Sequence, residues 1–250
     1  VYANASTSDL LLDLYIPSGE GPHPLFVNIH GGGWAAGDKA LHPESAAMQL
    51  YDSGNGTWAV ASINYRLTNE AVWPAQIEDT KASIRWLKEN AQTYRIDSQM
   101  IVAGGSSAGG HLSAMLAGTN GDTIYDNTSL GSMNYSSEVN AVVDWFGVTN
   151  FYTISDYIES QNVSKPSPME SLLACSMGTD CTDELVISAS PALLVNGSEP
   201  PMLLMHGVND TSVPPSQSQE LADALSSNNS IFWHHEFADA EHGISPADCS

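Results

Sequence analysis

The sequence predicts an α/β fold, a mostly parallel sheet with helices on both faces, built as one domain over residues 1–250. Two observations carry this expectation. Short apolar runs bounded by Pro and Gly alternate with segments of helical period, which is the pattern of successive strand–helix units. A glycine-rich turn at 104–110 delivers one such run into a helical segment. A chain of 250 residues with 42% hydrophobic content supports one core of this kind.

The elements follow in order. Residues 10–16 alternate apolar and polar and end at Pro17, so they read as an early strand. Residues 24–30, Pro-Leu-Phe-Val-Asn-Ile-His, form an apolar run suited to a buried strand. A helix is expected over 43–53, stopped by Gly54 and Gly56, and a second buried strand over 58–64. Residues 74–92 place Ile77, Ile84 and Leu87 on one helical face. A strand at 100–103, a helix at 108–116 and a strand at 140–146 follow. The C-terminal part gives a strand at 202–206, a helix at 215–225 and a last strand at 231–237. Residues 149–191 break the rhythm. They are polar and weak in periodicity, and an insert of that length between strands reads as a lid or pocket wall near the active site.

Charge excludes some functions. The chain has 29 acidic and 7 basic residues, a net −22, so nucleic acids and anionic membrane surfaces are repelled. No apolar run approaches the ~20 residues of a membrane span. Two features point to a secreted, extracellular protein. Asn-x-Ser/Thr triplets begin at Asn4, Asn55, Asn127, Asn134, Asn162, Asn196, Asn209 and Asn228, where composition alone predicts about three, and such triplets are glycan acceptors in a eukaryotic secretory protein. Cys175 and Cys181 lie close together in a polar segment and are expected to form a disulfide, with Cys249 unassigned. No further His or Cys clusters near them, so no metal site is expected.

The strongest chemical signal is Gly105-Ser106-Ser107-Ala108-Gly109, a G-x-S-x-G motif between a strand and a helix. That context is what a nucleophile elbow requires, with glycines making room for a tight turn that lifts the serine oxygen over a helix N-terminus. Ser106 is the alternative frame, but it would put Ala108 where the second glycine belongs, so Ser107 is preferred as nucleophile. A second signal is His30-Gly-Gly-Gly-Trp34 at the end of the 24–30 run. Consecutive glycines let backbone N–H groups converge on one point, which suits stabilisation of an oxyanion.

A serine hydroxyl needs a base, and the base needs an acid to orient it. Of eight histidines, His23 and His42 lie in loops without a partner signal, and His30 reads as part of the glycine motif. His111 follows the elbow on its helix, His206 ends a strand, and His234 and His235 lie within the last strand. His242 falls in a loop just beyond that strand, at the sheet edge where α/β folds place functional groups. Asp210, in His206-Gly-Val-Asn-Asp210, occupies the matching edge, and Ser107, Asp210, His242 is the nucleophile–acid–base order of the α/β-hydrolases. Asp144, ending Ala141-Val-Val-Asp144, is the rival acid.

Taken together, these segments resemble one family. The stretch His30–Trp34 with Gly37-Asp38-Lys39, Asn64-Tyr-Arg-Leu67, Gly105–Gly110, Asp144-Trp-Phe-Gly147, Ala189-Ser-Pro191 and His206–Pro214 look like carboxylesterases related to the hormone-sensitive lipase group, nearest the feruloyl and acetyl-xylan esterase-like branch. The resemblance implies the α/β-hydrolase fold, no cofactor, and the triad Ser107, Asp210 and His242. It also implies an oxyanion hole made by the Ala108 N–H with Gly32, Gly33 or Trp34, and a substrate pocket lined by Trp34, Asp144 and Trp145. The substrate would be a small-molecule or polysaccharide-linked ester. Two other readings stay open at this level: an amide-cleaving serine hydrolase, and a non-catalytic ligand-binding protein on the same scaffold.

Overall fold

A computed structural model describes residues 1–6, 8–53, 56–161 and 165–243. Short strands β1 (Ala3–Asn4) and β2 (Asp9–Leu10) pair with each other. The other strands are β3 (Leu12–Tyr15), β4 (His23–Ile29), β5 (Ala59–Ile63), β6 (Ile96–Ser106), β7 (Ala141–Trp145), β8 (Met202–Gly207) and β9 (Phe232–Phe237). They form one seven-stranded sheet in the order β3-β5-β4-β6-β7-β8-β9. Only β3 runs antiparallel to its neighbour.

The helices are α1 (Ala46–Ser53), α2 (Ala75–Glu89), α3 (Ala91–Tyr94), α4 (Ala108–Gly118), α5 (Phe151–Ser160), α6 (Pro168–Leu173), α7 (Asp183–Ser188) and α8 (Ser216–Ser227). Leu112 and Met115 of α4, Ile77 and Ile84 of α2, and Leu221 and Leu225 of α8 join the large core on one face of the sheet. On the other face Ala47 of α1 packs with Phe26 and Val60. Central strands β4 and β5 are covered on both faces, which is why they read as unbroken apolar runs. Edge strand β9 has one open face, with Trp233 63% exposed, and so reads as an alternating run.

The sheet order fixes where a site can form. From β4 the chain goes to β5 on one side, then returns to β6 on the other. The reversal leaves a crevice beyond the C-terminal ends of β4 and β6, the position where α/β sheets bind ligands. The glycine loop leaves β4 there, and the Ser107 turn leaves β6 there.

Three expectations need correction. The early strand is split: residues 9–10 pair with β1 and residues 12–15 pair with β5, with a break at Leu11. Strand β6 is longer than the apolar run at 100–103. Its glycines continue the strand because space demands them: a Cβ on Gly104 would stand 2.8 Å from the Phe26 ring, and one on Gly105 would enter the Ile29 carbonyl. The polar insert is largely helical. Asn150 caps α5, Ser167 and Glu170 form a capping box on α6, and Thr182 caps α7. Between α6 and α7, Cys175 and Cys181 form a disulfide with Cα atoms 5.1 Å apart.

Candidate active site

The elbow is built first. Ser107 adopts φ 56°, ψ −119°, a conformation that non-glycine residues avoid. The neighbouring strands hold it. Its N–H donates to the Trp145 carbonyl at 2.9 Å, and its carbonyl accepts from His111 N at 2.9 Å at the start of α4. A Cβ on Gly109 would collide with the Ile29 carbonyl, so α4 can approach β4 only with glycine there.

His242 and Asp210 then meet the serine from two other loops. His242 Nε2 stands 3.1 Å from Ser107 Oγ, and His242 Nδ1 stands 2.6 Å from Asp210 Oδ2. A carboxylate only accepts, so Nδ1 carries the proton and Nε2 is free to accept from the serine hydroxyl. Asp210 Oδ1 accepts from the backbone N–H groups of Ser212 and Val213 at 2.8 and 2.9 Å. Burial pushes the Asp210 carboxyl up, but hydrogen bonds from His242 and Val213, with the His206 Nε2–H nearby at 3.4 Å, outweigh it and hold the group well below the usual carboxylate range. His206 itself is fully buried, with Nε2–H donating to the Val213 carbonyl at 2.9 Å and Nδ1 accepting from Ser218 Oγ at 2.6 Å.

The glycine loop faces the serine. A Cβ on Gly31 would stand 2.8 Å from the Ser106 carbonyl, so the loop lies directly against the elbow. The Gly32 carbonyl accepts from Ala35 and Ala36 N–H at 3.1 Å each, closing a turn that presents the next two residues. Gly33 and Trp34 then line a cleft with Ser107, Ala108 and His242. Among the described residues the N–H groups of Gly33 and Trp34 have no acceptor in the protein. Of the three expected donors, Gly33 and Trp34 line the cleft, while Gly32 makes the turn before them.

The cleft has a volume of about 150 Å³ and walls that are mostly apolar. Val148, Ile154, Ile158, Pro168, Met169 and Val213 supply its apolar walls. Four of these come from the insert, so the sequence reading missed them by weighing its overall polarity. The spacing of Phe151, Ile154 and Ile158 was the available signal, an apolar stripe of period three and four.

The expected pocket residues divide. Trp34 lines the cleft, but Asp144 and Trp145 do not. Trp145 points to the opposite sheet face and packs edge-on against Phe26, with ring centroids 6.1 Å apart. Strand alternation explains the difference, since residues 144 and 145 cannot share a face. Asp144 is fully buried, accepts at Oδ1 from Gly147 N–H at 2.8 Å, and has no partner at Oδ2 among the described residues. Burial pushes its carboxyl up to about 6. It makes no hydrogen bond to an imidazole, which removes it as the orienting acid. Among the described residues no group of three His, Cys, Asp or Glu side chains is arranged to hold a metal, and no helix is long and apolar enough to cross a membrane.

A switch-point crevice with a serine elbow, and an acid and a base following later strands, defines an α/β-hydrolase. The chain belongs to the BD-FAE family, whose pattern matches residues 12–225. Esterase LipC of Mycobacterium tuberculosis is 29% identical over 91% of this chain and 54% of its own length. The chain thus spans about half the length of the curated relatives it matches. Among solved structures, a truncated carbohydrate esterase from gut microbiota is 31% identical, covers 96% of this chain and 86% of that one, and superposes with a TM-score of 0.81. An acetyl ester-xyloside bifunctional hydrolase from Caldicellulosiruptor lactoaceticus is 25% identical over 96% of this chain and 81% of that one, with a TM-score of 0.76.

Proposed function

We propose that the protein is a serine carboxylic-ester hydrolase acting on short-acyl esters, free or carried on a polysaccharide. The observation that carries this is the alignment of Ser107, His242 and Asp210 at 3.1 and 2.6 Å against a cleft lined by Gly33, Trp34 and Ala108. Ser107 Oγ attacks the ester carbonyl as His242 Nε2 takes its proton. The carbonyl oxygen becomes an oxyanion, held by the Ala108 N–H and those of the Gly33–Trp34 loop. Collapse breaks the C–O bond, His242 returns its proton to the departing alcohol, and an acyl-serine remains. A water enters, His242 takes its proton, and a second collapse releases the acid and restores Ser107.

The size and lining of the cleft support acetyl to short acyl groups. The names of the solved relatives, a carbohydrate esterase and an acetyl ester-xyloside hydrolase, support a sugar on the alcohol side. Charge supports an uncharged substrate, because each of the seven Lys and Arg side chains donates to a carboxylate or carbonyl of this chain. The remaining surface is anionic and repels anionic esters. The test is a panel of p-nitrophenyl acetate to decanoate, acetylated xylan and methyl ferulate with wild type and Ser107→Ala. Loss of about 10⁶ in kcat is expected in the variant. Substantial activity in Ser107→Ala, or a preference for decanoate, would reject the reading.

We also propose an extracellular, glycosylated protein. The disulfide supports an oxidising compartment. Asn4, Asn134 and Asn196 are exposed and can carry a glycan in the folded state, whereas Asn209, next to Asp210, and Asn228 are exposed but donate from Nδ2 to the Ala238 and Ala224 carbonyls at 3.2 and 2.9 Å. Asn127 is half-buried and donates from Nδ2 to Glu78 at 2.9 Å, which a glycan would break. Asn55, Asn162 and Cys249 lie outside the described residues. Peptide mapping after enzymatic deglycosylation of the secreted protein should find modified sites among Asn4, Asn134 and Asn196; an unmodified secreted chain would overturn this.

A further inference from the structure

Trp34 raises a question that the triad does not answer. It has φ 59°, in the left-handed region that bulky residues avoid, yet its backbone belongs to the loop that faces the serine. Something must over-determine that conformation. Thr68 N–H donates to its carbonyl at 2.9 Å, which fixes one end of the peptide. The side chain is fixed by His111. The Trp34 indole Nε1–H donates to His111 Nδ1 at 3.1 Å, and His111 Nε2–H donates to the Ala189 carbonyl at 2.9 Å.

An indole N–H can only donate and a carbonyl can only accept, so these two bonds select one neutral tautomer of His111. Burial agrees with it: the ring is fully enclosed by Trp34, Trp73 and Phe151, and its basicity is depressed to about 4. The imidazole therefore remains a fixed acceptor–donor spacer at neutral pH. Its three attachments belong to three parts of the site. Trp34 is in the glycine loop, His111 lies one turn beyond Ser107 on α4, and Ala189 closes the insert that supplies Ile154, Ile158, Pro168 and Met169 to the cleft.

We propose that His111 is a positioning residue for the oxyanion hole: through the Trp34 indole and the Ala189 carbonyl it locks the glycine loop, the elbow helix and the insert in one register, so that the Gly33–Trp34 backbone meets the oxyanion. His111 touches no reacting atom and acts through its two hydrogen-bond partners, Trp34 and Ala189. The proposal rests on the esterase reading above.

The test compares His111→Phe, which keeps a ring against Trp73 and Phe151 but loses both hydrogen bonds, with His111→Asn, which keeps an acceptor for the indole. The measurements are kcat and KM on p-nitrophenyl acetate, the affinity of a short alkyl boronic acid, and thermal unfolding. The boronate forms a tetrahedral adduct on Ser107 and reports the oxyanion donors directly. In His111→Phe, kcat should fall about 10- to 100-fold with KM within about twofold, part of the 10²–10³ that loss of a donor costs. Boronate affinity should fall by a similar factor, and His111→Asn should recover much of both. Trp34→Phe should match His111→Phe, and the double variant should be no worse than either. If His111→Phe fails to fold, His111→Asn and Trp34→Phe carry the same comparison. Unchanged kcat, or a loss of kcat with boronate affinity intact, overturns the proposal while Ser107→Ala remains inactive. An active Ser107→Ala would instead reject the esterase reading.

Discussion

Asp144 and Asp210 are two buried carboxyl groups associated with neighbouring strands, and they occupy opposite electrostatic situations. Asp210 follows β8 and receives hydrogen bonds from His242, Ser212 and Val213, which hold it ionised. Asp144, in β7, receives one N–H from Gly147, and burial pushes it up to about 6. The same burial thus gives different outcomes according to the number of donors within reach.

Asp210→Asn is expected to lower kcat by about 10⁴ with little change in the fold, since an amide presents the wrong tautomer requirement to His242. Asp144→Asn should keep most activity. Steady-state kinetics on one short ester checks both, and the assignment is wrong if the losses are reversed.

The two carboxyls also predict different stability against pH. A raised folded pKa makes a contribution that is full below the unfolded value of 3.8 and lost as pH rises through about 6. Ionising Asp144 therefore costs on the order of 3 kcal/mol above pH 6, an estimate from the linkage of pKa to free energy. The Tm of Asp144→Asn relative to wild type should rise between pH 4 and pH 8. For Asp210 the sign is opposite: its contribution is present above 3.8 and lost as pH falls through its depressed folded value, so Asp210→Asn should approach wild-type stability only in strong acid. Parallel melting curves across pH test both slopes.

The cleft wall should set acyl length. Met169 and Ile154 are buried and line the cleft beside Ser107. Met169→Ala should raise the hexanoate-to-acetate ratio of kcat/KM by about tenfold or more, since one methylene in an apolar pocket changes selectivity by 10–200-fold. An unchanged chain-length profile would show that the acyl group lies elsewhere.

The elbow glycines should tolerate no side chain. Gly105→Ala and Gly109→Ala would each drive a methyl group into the Ile29 carbonyl within packed strands. Each should cost about 3 kcal/mol or more, in the range of the severe overpacking cases. Denaturant titration, or loss of soluble protein, reads the effect.

The disulfide should contribute about 2 kcal/mol, because a loop this short removes little entropy from the unfolded chain. Cys175→Ser should lower Tm by a few degrees and leave kcat within about twofold, since neither cysteine lines the cleft.

Much of this protein was legible in its sequence, and the reason is local. Strand and helix periods, the glycine turn at 104–110 and the order Ser107, Asp210, His242 depend on spacing along the chain, so the strand–helix alternation and the triad candidates followed from it. The insert was less legible. Its caps at Asn150, Ser167 and Thr182 are local signals, but the apolar stripe of α5 is short and sits within a polar segment. What only the tertiary structure decided was contact between distant segments. Sheet register sent Trp145 to the far face and left Asp144 beneath the site without a histidine. Packing of the glycine loop against the elbow placed Gly33 and Trp34 in the cleft wall. His111 acquired its partners from residues 77 and 78 positions away. No spacing rule reaches that far, because such contacts depend on how whole elements pack and not on the period within any one of them.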